Sequence, residues 1–282
     1  MKTFEVDLYK YFDRKKPQEA NGGVLKCYVQ DEENCKQASY PSMLIIPGGA
    51  YHHIGEKECE PVALEFVSNK YNAFVLTYSV ETVKFPIALQ ETAMAMVYIR
   101  ENAKALNSKQ DKVGVIGFSA GAHLAGTIST LYDSEVLDFL GEKKKFAKPD
   151  ATIYGYPVAT SFGKTHNYSF QMLCGDDQEL KEKLSIEKLV NKDCSPCFIF
   201  STSGDKVVPC RNSLILASAY AEAEVSYTLH IFAKGAHGLS LGTEELFKDD
   251  EVEYKHYIEC MSIDYPKWFS MAITWLKEIN LK

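Results

Sequence analysis

The chain lacks any long basic tract. Lys and Arg total 31 against 38 Asp and Glu, which gives a net charge of −7. An acidic chain without such a tract is a poor match for phosphate backbones or anionic lipid, so nucleic acid is excluded as a main partner. The short run Lys143-Lys144-Lys145 lies in a polar stretch ending at Pro149 and is expected to be a solvated loop. No segment approaches the ~18 apolar residues that a membrane-crossing helix needs, and no membrane partner is expected. The N-terminal stretch MKTFEVDLYKYFDRKK carries charges every few residues and no apolar core, unlike a signal peptide. A cytoplasmic location is the expectation.

Framework cysteine spacing is also missing. The eight cysteines stand at 27, 35, 59, 174, 194, 197, 210 and 260, and are expected to be free thiols packed as small hydrophobes. Cys194 and Cys197 match C-x-x-C, but the pair runs straight into the strand-like CFIFST rather than opening a helix. No His/Cys/Asp/Glu cluster has metal-ligand spacing, so neither a metal nor a cofactor is expected. Asn167-Tyr168-Ser169 is a glycosylation sequon, expected to be silent in a chain that does not enter a secretory route.

What remains is ordinary globular material. Its 282 residues suffice for a sizeable core. With no internal repeat and no low-complexity linker, the whole span 1–282 is expected to form one domain. FEVDLY (4–9) and GVLKCYVQ (23–30) alternate in part, as half-exposed antiparallel strands do. From residue 42 the runs become apolar throughout: SMLIIP (42–47), AFVLTYSV (73–80), KVGVIGF (112–118), ATIYGYP (151–157), CFIFST (197–202) and SYTLHIF (226–232). Such runs suit strands buried on both faces of a mainly parallel sheet. Helical stretches at 60–70, 86–106, 120–131, 210–222 and 265–279 separate them, so the fold class is α/β with a doubly wound sheet. Ligands of such sheets bind beyond the carboxyl ends of the strands. Two polar stretches, about 160–193 and 242–264, exceed ordinary connections and are expected as lid or rim insertions.

Strand KVGVIGF ends in Gly117-Phe118-Ser119-Ala120-Gly121, and a small-residue helix follows at once. This is the nucleophile-elbow pattern in the context it requires, strand, sharp turn, helix. The glycines let strand and helix backbones approach, and the helix start supplies free N–H groups for a developing oxyanion. Directly after SMLII comes Pro47-Gly48-Gly49-Ala50-Tyr51, a loop able to turn backbone N–H groups toward a substrate. An activated serine needs a base and an orienting acid, in chain order serine, acid, histidine. Asp205 follows strand CFIFST, and His237 follows strand SYTLHIF, both at the sheet edge that carries Ser119. Of the other histidines, His123 is expected to be a packed, hydrogen-bonded helix residue, and His230 to be structural or half exposed. Tyr51, His52 and His53 are candidates to line the substrate pocket, with Tyr51 offering a flat aromatic wall.

The sequence resembles the small α/β-hydrolases of the acetyl xylan esterase-like and acetyl esterase-like carbohydrate esterase group. The resemblance runs through LIIPGGAYHHIGEKECEPVALEF, FVLTYSV, GFSAGAHLAG, YGYPVAT, SGDKVVPCRNSLILASAYAEAEVSYTLHIFAKGAHGLSLG and YPKWFSMAITWLK. It implies an α/β-hydrolase fold and a serine esterase with Ser119 as nucleophile, His237 as base and Asp205 as its orienter. It also implies an oxyanion hole built from the Ala120 N–H with Gly49 and Ala50. Two positions depart from the lipase pattern, Pro47 in place of a histidine and Ala50 in place of a third glycine. The elbow is also similar to that of arylformamidases, so a formamide substrate stays open beside a short-chain or sugar ester. A hydrolase-fold protein that binds a ligand without turning it over would lose a triad member, and none is lost here. A small acyl ester or acetylated sugar is the expected partner, and a homo-oligomer is left open.

Overall fold

The computed structural model describes residues 1–31, 39–247 and 254–282. Cys35 lies outside the described residues, as does the middle of the expected 242–264 insertion. An eight-stranded sheet forms from β1 (Lys2–Asp7), β2 (Val24–Val29), β3 (Tyr40–Ile46), β4 (Asn72–Thr77), β5 (Ser108–Phe118), β6 (Ala151–Gly155), β7 (Cys197–Thr202) and β8 (Tyr227–Phe232). Its order is β1-β2-β4-β3-β5-β6-β7-β8. β2 pairs antiparallel with both β1 and β4, and every pair from β4 to β8 is parallel.

The apolar runs form central strands because both pleat faces find cover. Leu44, Ile46, Val113, Val115 and Ile199 enter one core cluster, while Met43, Ile45, Ile116, Phe118, Phe198 and Phe200 enter the other. The first cluster is roofed by α3 (Ile87–Glu101), α4 (Ala120–Leu131) and α8 (Arg211–Glu222), and the second by α2 (Glu60–Ser68) and α9 (Trp268–Glu278). On the second face the Trp268 ring stacks on Phe200 at 4.1 Å. Strand order reverses at β3, with β4 on one side and β5 on the other. The loops leaving β3 and β5 therefore part over a crevice, where doubly wound sheets place their ligands.

Two expectations change. FEVDLY does not run extended to Tyr9: β1 stops at Asp7, whose carboxylate accepts the Lys10 N–H at 3.1 Å and caps the single turn α1 (Leu8–Tyr11). Lys143–Lys145 is not a loop but part of the helical turns Glu135–Ala147. Lys143 pairs with Glu101 at 2.8 Å and Lys144 with Asp138 at 2.6 Å. The 160–193 stretch folds as three short helices, α5 (Asn167–Cys174), α6 (Gln178–Lys183) and α7 (Ile186–Leu189). Asp177 caps α6 through the Leu180 N–H.

Candidate active site

Ser119 sits where β5 turns into α4, with φ 52° and ψ −119°. A non-glycine residue held there carries strain of about 1–3 kcal/mol, which the surrounding structure must absorb. The flanking glycines make the turn possible. A Cβ on Gly117 would lie 2.1 Å from the Gly121 carbonyl oxygen, and one on Gly121 would lie 2.2 Å from that of Ile46. Strand and helix thus touch backbone to backbone.

The serine Oγ meets His237 Nε2 at 2.8 Å, and His237 Nδ1 meets Asp205 Oδ2 at 2.6 Å. Because the Asp205 oxygen is an acceptor, Nδ1–H donates, and Nε2 is left to accept the serine proton. The other Asp205 oxygen accepts the N–H groups of Val207 and Val208, each at 2.9 Å, so the carboxylate is fixed on both sides. Asp205 leaves the end of β7 and His237 the end of β8. Thr202 Oγ1 donates to the Gly235 carbonyl (2.7 Å) and Ser203 Oγ to that of Ala233 (2.7 Å), tying the two loops together.

The loop after β3 lies against the serine: a Cβ on Gly48 would be 3.0 Å from Ser119 Cβ. Its carbonyls are taken from behind. Tyr78 Oη donates to Pro47 O, Gly55 N–H to Gly48 O, both His52 and His53 N–H to Gly49 O, and Glu81 N–H to Tyr51 O. The Gly48 N–H is taken too, by Glu58 at 2.6 Å. Among the described residues no acceptor takes the N–H of Gly49, Ala50 or Ala120. Gly49 (φ 121°) and Ala50 (φ 58°) both have positive φ. Only the first is free of strain there, which makes Ala50 the costlier of the two.

Tyr51 is a correction. It is 4% exposed, so it offers no open wall. It follows the loop inward, its ring edge-on to Tyr78, and its Oη lies 2.8 Å from Nδ1 of buried His123. His123 Nε2–H donates to the Leu184 carbonyl (2.7 Å), and burial lowers the histidine pKa to about 4. His123 is thus a packed helix residue, and His230 is a half-exposed strand residue with its ring against Phe198. His52 and His53 stay exposed; the His52 ring lies 5.9 Å from that of Tyr168 on α5.

Sequence reasoning passed over His166 and Glu58. His166 Nδ1 lies 2.8 Å from Ser169 Oγ. Burial lowers its pKa; His237 acts in the same direction and Asp205 opposes, so the ring stands within electrostatic reach of the triad. A histidine in a polar insertion gives no periodic signal that would mark it. Beside His237 opens a cavity of about 530 Å³, lined in part by Lys206, Val207, Lys234, His256 and Tyr257. Both expected insertions therefore border the site. Among the described residues no three His, Cys, Asp or Glu side chains are grouped to hold a metal ion. Cys194 and Cys197 are buried and free, with thiol pKa values raised by burial.

Residues 28–220 match the BD-FAE family model, a span that includes Gly49, Ser119 and Asp205. Endo-1,4-beta-xylanase B of Butyrivibrio fibrisolvens is 37% identical over 213 residues, 73% of this chain and 33% of that protein. An acetylxylan esterase of Xylanibacter ruminicola is 28% identical over 206 residues, 70% of this chain and 41% of that protein. The chain thus spans well under half the length of these relatives. Among solved structures, an acetyl ester-xyloside bifunctional hydrolase of Caldicellulosiruptor lactoaceticus superposes with a TM-score of 0.78 at 31% identity, covering 92% of this chain and 88% of that one. A carboxylesterase of Lactobacillus plantarum gives a TM-score of 0.82 at 25% identity, covering 100% of this chain and 98% of that one. The fold, the elbow at Ser119 and the family match together place the chain in the BD-FAE family of α/β-hydrolases.

Proposed function

We propose that the protein is a serine esterase that removes short acyl groups, acetate above all, from hydroxylated sugars such as xylo-oligosaccharides. The observation that carries this is the relay Ser119–His237–Asp205, at 2.8 and 2.6 Å, beside a loop whose Gly49 and Ala50 N–H groups have no protein acceptor among the described residues. His237 removes the serine proton as Oγ attacks the ester carbonyl, and Asp205 holds the imidazole tautomer and stabilises the imidazolium. The N–H groups of Ala120, Gly49 and Ala50 receive the oxyanion, each donor worth about 3 kcal/mol of barrier. His237 returns the proton to the departing alcohol, and water then repeats the attack on the acyl-enzyme.

The sugar preference is supported by the rim and by what relatives are called. His52 and Tyr168 are exposed, and Lys206 and Lys234 line the cavity beside His237, where a lipase lid would turn an apolar face to a fatty chain. Two relatives are named for acetyl ester or acetylxylan hydrolysis.

The test is a nitrophenyl ester series from acetate to decanoate, run beside acetylated xylo-oligosaccharides and N-formylkynurenine, with fluorophosphonate labelling of the wild type and of Ser119→Ala. Highest kcat/KM on acetate, acetate released from the sugar, and labelling lost in Ser119→Ala support the proposal. A decanoate optimum points to a lipase and a preference for the formamide to an arylformamidase. Absence of labelling and turnover in the wild type leaves the ligand-binding alternative.

A further inference from the structure

Glu58 is a carboxylate in the interior, 6% exposed, between two loops of the site. One oxygen accepts the Gly48 N–H at 2.6 Å and the other accepts the hydroxyl of Tyr156, at the end of β6. Tyr156 Oη in turn accepts the Ser240 N–H at 3.0 Å. Ser240 belongs to the turn that follows His237, and its Oγ donates to the Lys57 carbonyl at 2.6 Å. Its own carbonyl accepts from Tyr265 Oη and Trp268 Nε1. Ser240 is held at φ 50°, a conformation a non-glycine residue keeps only when its surroundings impose it. The Tyr156 ring also stands edge-on to the His237 imidazole at 5.1 Å.

The direction of these bonds matters. The chain runs Ser240 N–H to Tyr156, Tyr156 O–H to Glu58, and Gly48 N–H to Glu58 from the other side. A group that accepts at both ends is required in the middle, and a carboxylate supplies that. Burial pushes the Glu58 pKa up, while the Tyr156 and Gly48 bonds and the His237 imidazole act in the opposite direction. Burying a carboxylate costs free energy that its hydrogen bonds must offset, so burial by itself gives no reason for one here. Its position gives a reason. By turning the Gly48 N–H inward, Glu58 sets the peptide planes that follow, those of Gly49 and Ala50, against Ser119. Through Tyr156 and Ser240 the same carboxylate fixes the turn after His237.

We propose that Glu58 is a positioning residue that couples the oxyanion loop to the loop of the general base, so that both keep their geometry relative to Ser119. The proposal rests on the esterase reading above. It acts on the transition state, where a donor misplaced by about 1 Å costs roughly 10²-fold in rate. Glu58→Gln keeps volume but places an N–H donor against one of its two partners, so the chain of bonds can no longer run as it does. Tyr156→Phe removes the link to Ser240 and leaves Glu58 on Gly48.

The experiment measures kcat and KM on nitrophenyl acetate per site titrated by fluorophosphonate, together with Tm and the Ki of a trifluoromethyl ketone, for wild type, Glu58→Gln, Glu58→Ala, Tyr156→Phe and the Glu58→Gln/Tyr156→Phe pair. In Glu58→Gln, kcat per titrated site falls about 10- to 100-fold with KM changed little. The ketone weakens by the same factor as kcat/KM. The double variant is no worse than its more damaging single change. Unchanged kcat and Ki per titrated site in the variants that fold, whatever their Tm, overturn the positioning role. If neither Glu58 variant folds, Tyr156→Phe decides alone: a fall in kcat matched by a weaker ketone supports the proposal, and wild-type values end it. A wild type that is neither labelled nor active on acetate brings down the esterase reading, which is a different result from an active wild type with indifferent variants.

Discussion

Tyr51 donates its hydroxyl to Nδ1 of His123 across 2.8 Å, and so binds the loop after β3 to the helix that follows Ser119. His123 passes the constraint on through its Nε2–H to the Leu184 carbonyl, in the insertion between β6 and β7. Replacing Tyr51 by Phe keeps the ring but leaves the buried Nδ1 acceptor without a donor. An unsatisfied buried polar atom costs about 1–3 kcal/mol. Tyr51→Phe is expected to lower Tm by several degrees, and to reduce kcat on nitrophenyl acetate more than it changes KM. Thermal melts and steady-state kinetics check both.

Gly121 offers no room for a side chain, since the atoms a Cβ would meet are the carbonyl oxygens of Ile46 and Pro47, at 2.2 and 2.4 Å. Backbone cannot step aside as a flexible side chain can. Gly121→Ala is expected to abolish soluble folded protein or to lower Tm far more than Gly141→Ala. At Gly141 (φ 55°) a Cβ meets nothing within 4 Å, and the backbone conformation alone costs about 1–3 kcal/mol. Equal melting temperatures for the two variants would contradict the close approach of helix and strand.

Asp205 uses one oxygen for the Val207 and Val208 N–H groups and the other for His237. In Asp205→Asn the amide oxygen keeps the two backbone donors, which turns the NH₂ toward His237 Nδ1. The ring must then carry its proton on Nε2, facing Ser119, and cannot act as base. The expected loss is roughly 10⁴-fold in kcat with the fold intact. Kinetics per titrated site together with a melting curve measure it.

Much of this was legible in the chain because the signals were local. The elbow needs a strand, two glycines and a helix within a short window, and the acid and histidine each follow an apolar strand. The strand runs were recognisable because residues such as Val115 and Ile116 are apolar on both faces. Tyr51 was misjudged because nothing in its neighbours tells which way a loop tyrosine turns; the partner that draws it inward, His123, lies 72 residues away. Glu58 was hidden for the same reason. Its partner Tyr156 is 98 residues distant, and a glutamate before Cys59-Glu60-Pro61 looks like any solvated charge. The turn at Leu8–Tyr11 was missed because the alternation of FEVDLY continues past the capping Asp7.

Burial lowers the His123 pKa from 6.5 to about 4 in the folded chain. The Leu184 carbonyl, which accepts Nε2–H, acts in the opposite direction, and burial outweighs it; Nδ1 accepts from Tyr51, a bond that only the neutral ring can make. A folded pKa below the unfolded one means that the unfolded chain binds the proton first. The contribution of neutral His123 is therefore complete above pH 6.5, declines as pH falls toward 4, and is gone below that. Its size is on the order of 3 kcal/mol. Buried Glu58 and Glu91, whose pKa values are raised, have the opposite slope, losing stability as pH rises through the carboxylate range. The effect must therefore be read as a difference. His123→Gln is expected to be less stable than wild type at pH 7.5, with the gap narrowing steadily between pH 6.5 and 4. Urea unfolding at half-unit pH steps would show this. A gap constant across that window would mean that His123 takes up its proton in the folded state as readily as in the unfolded one.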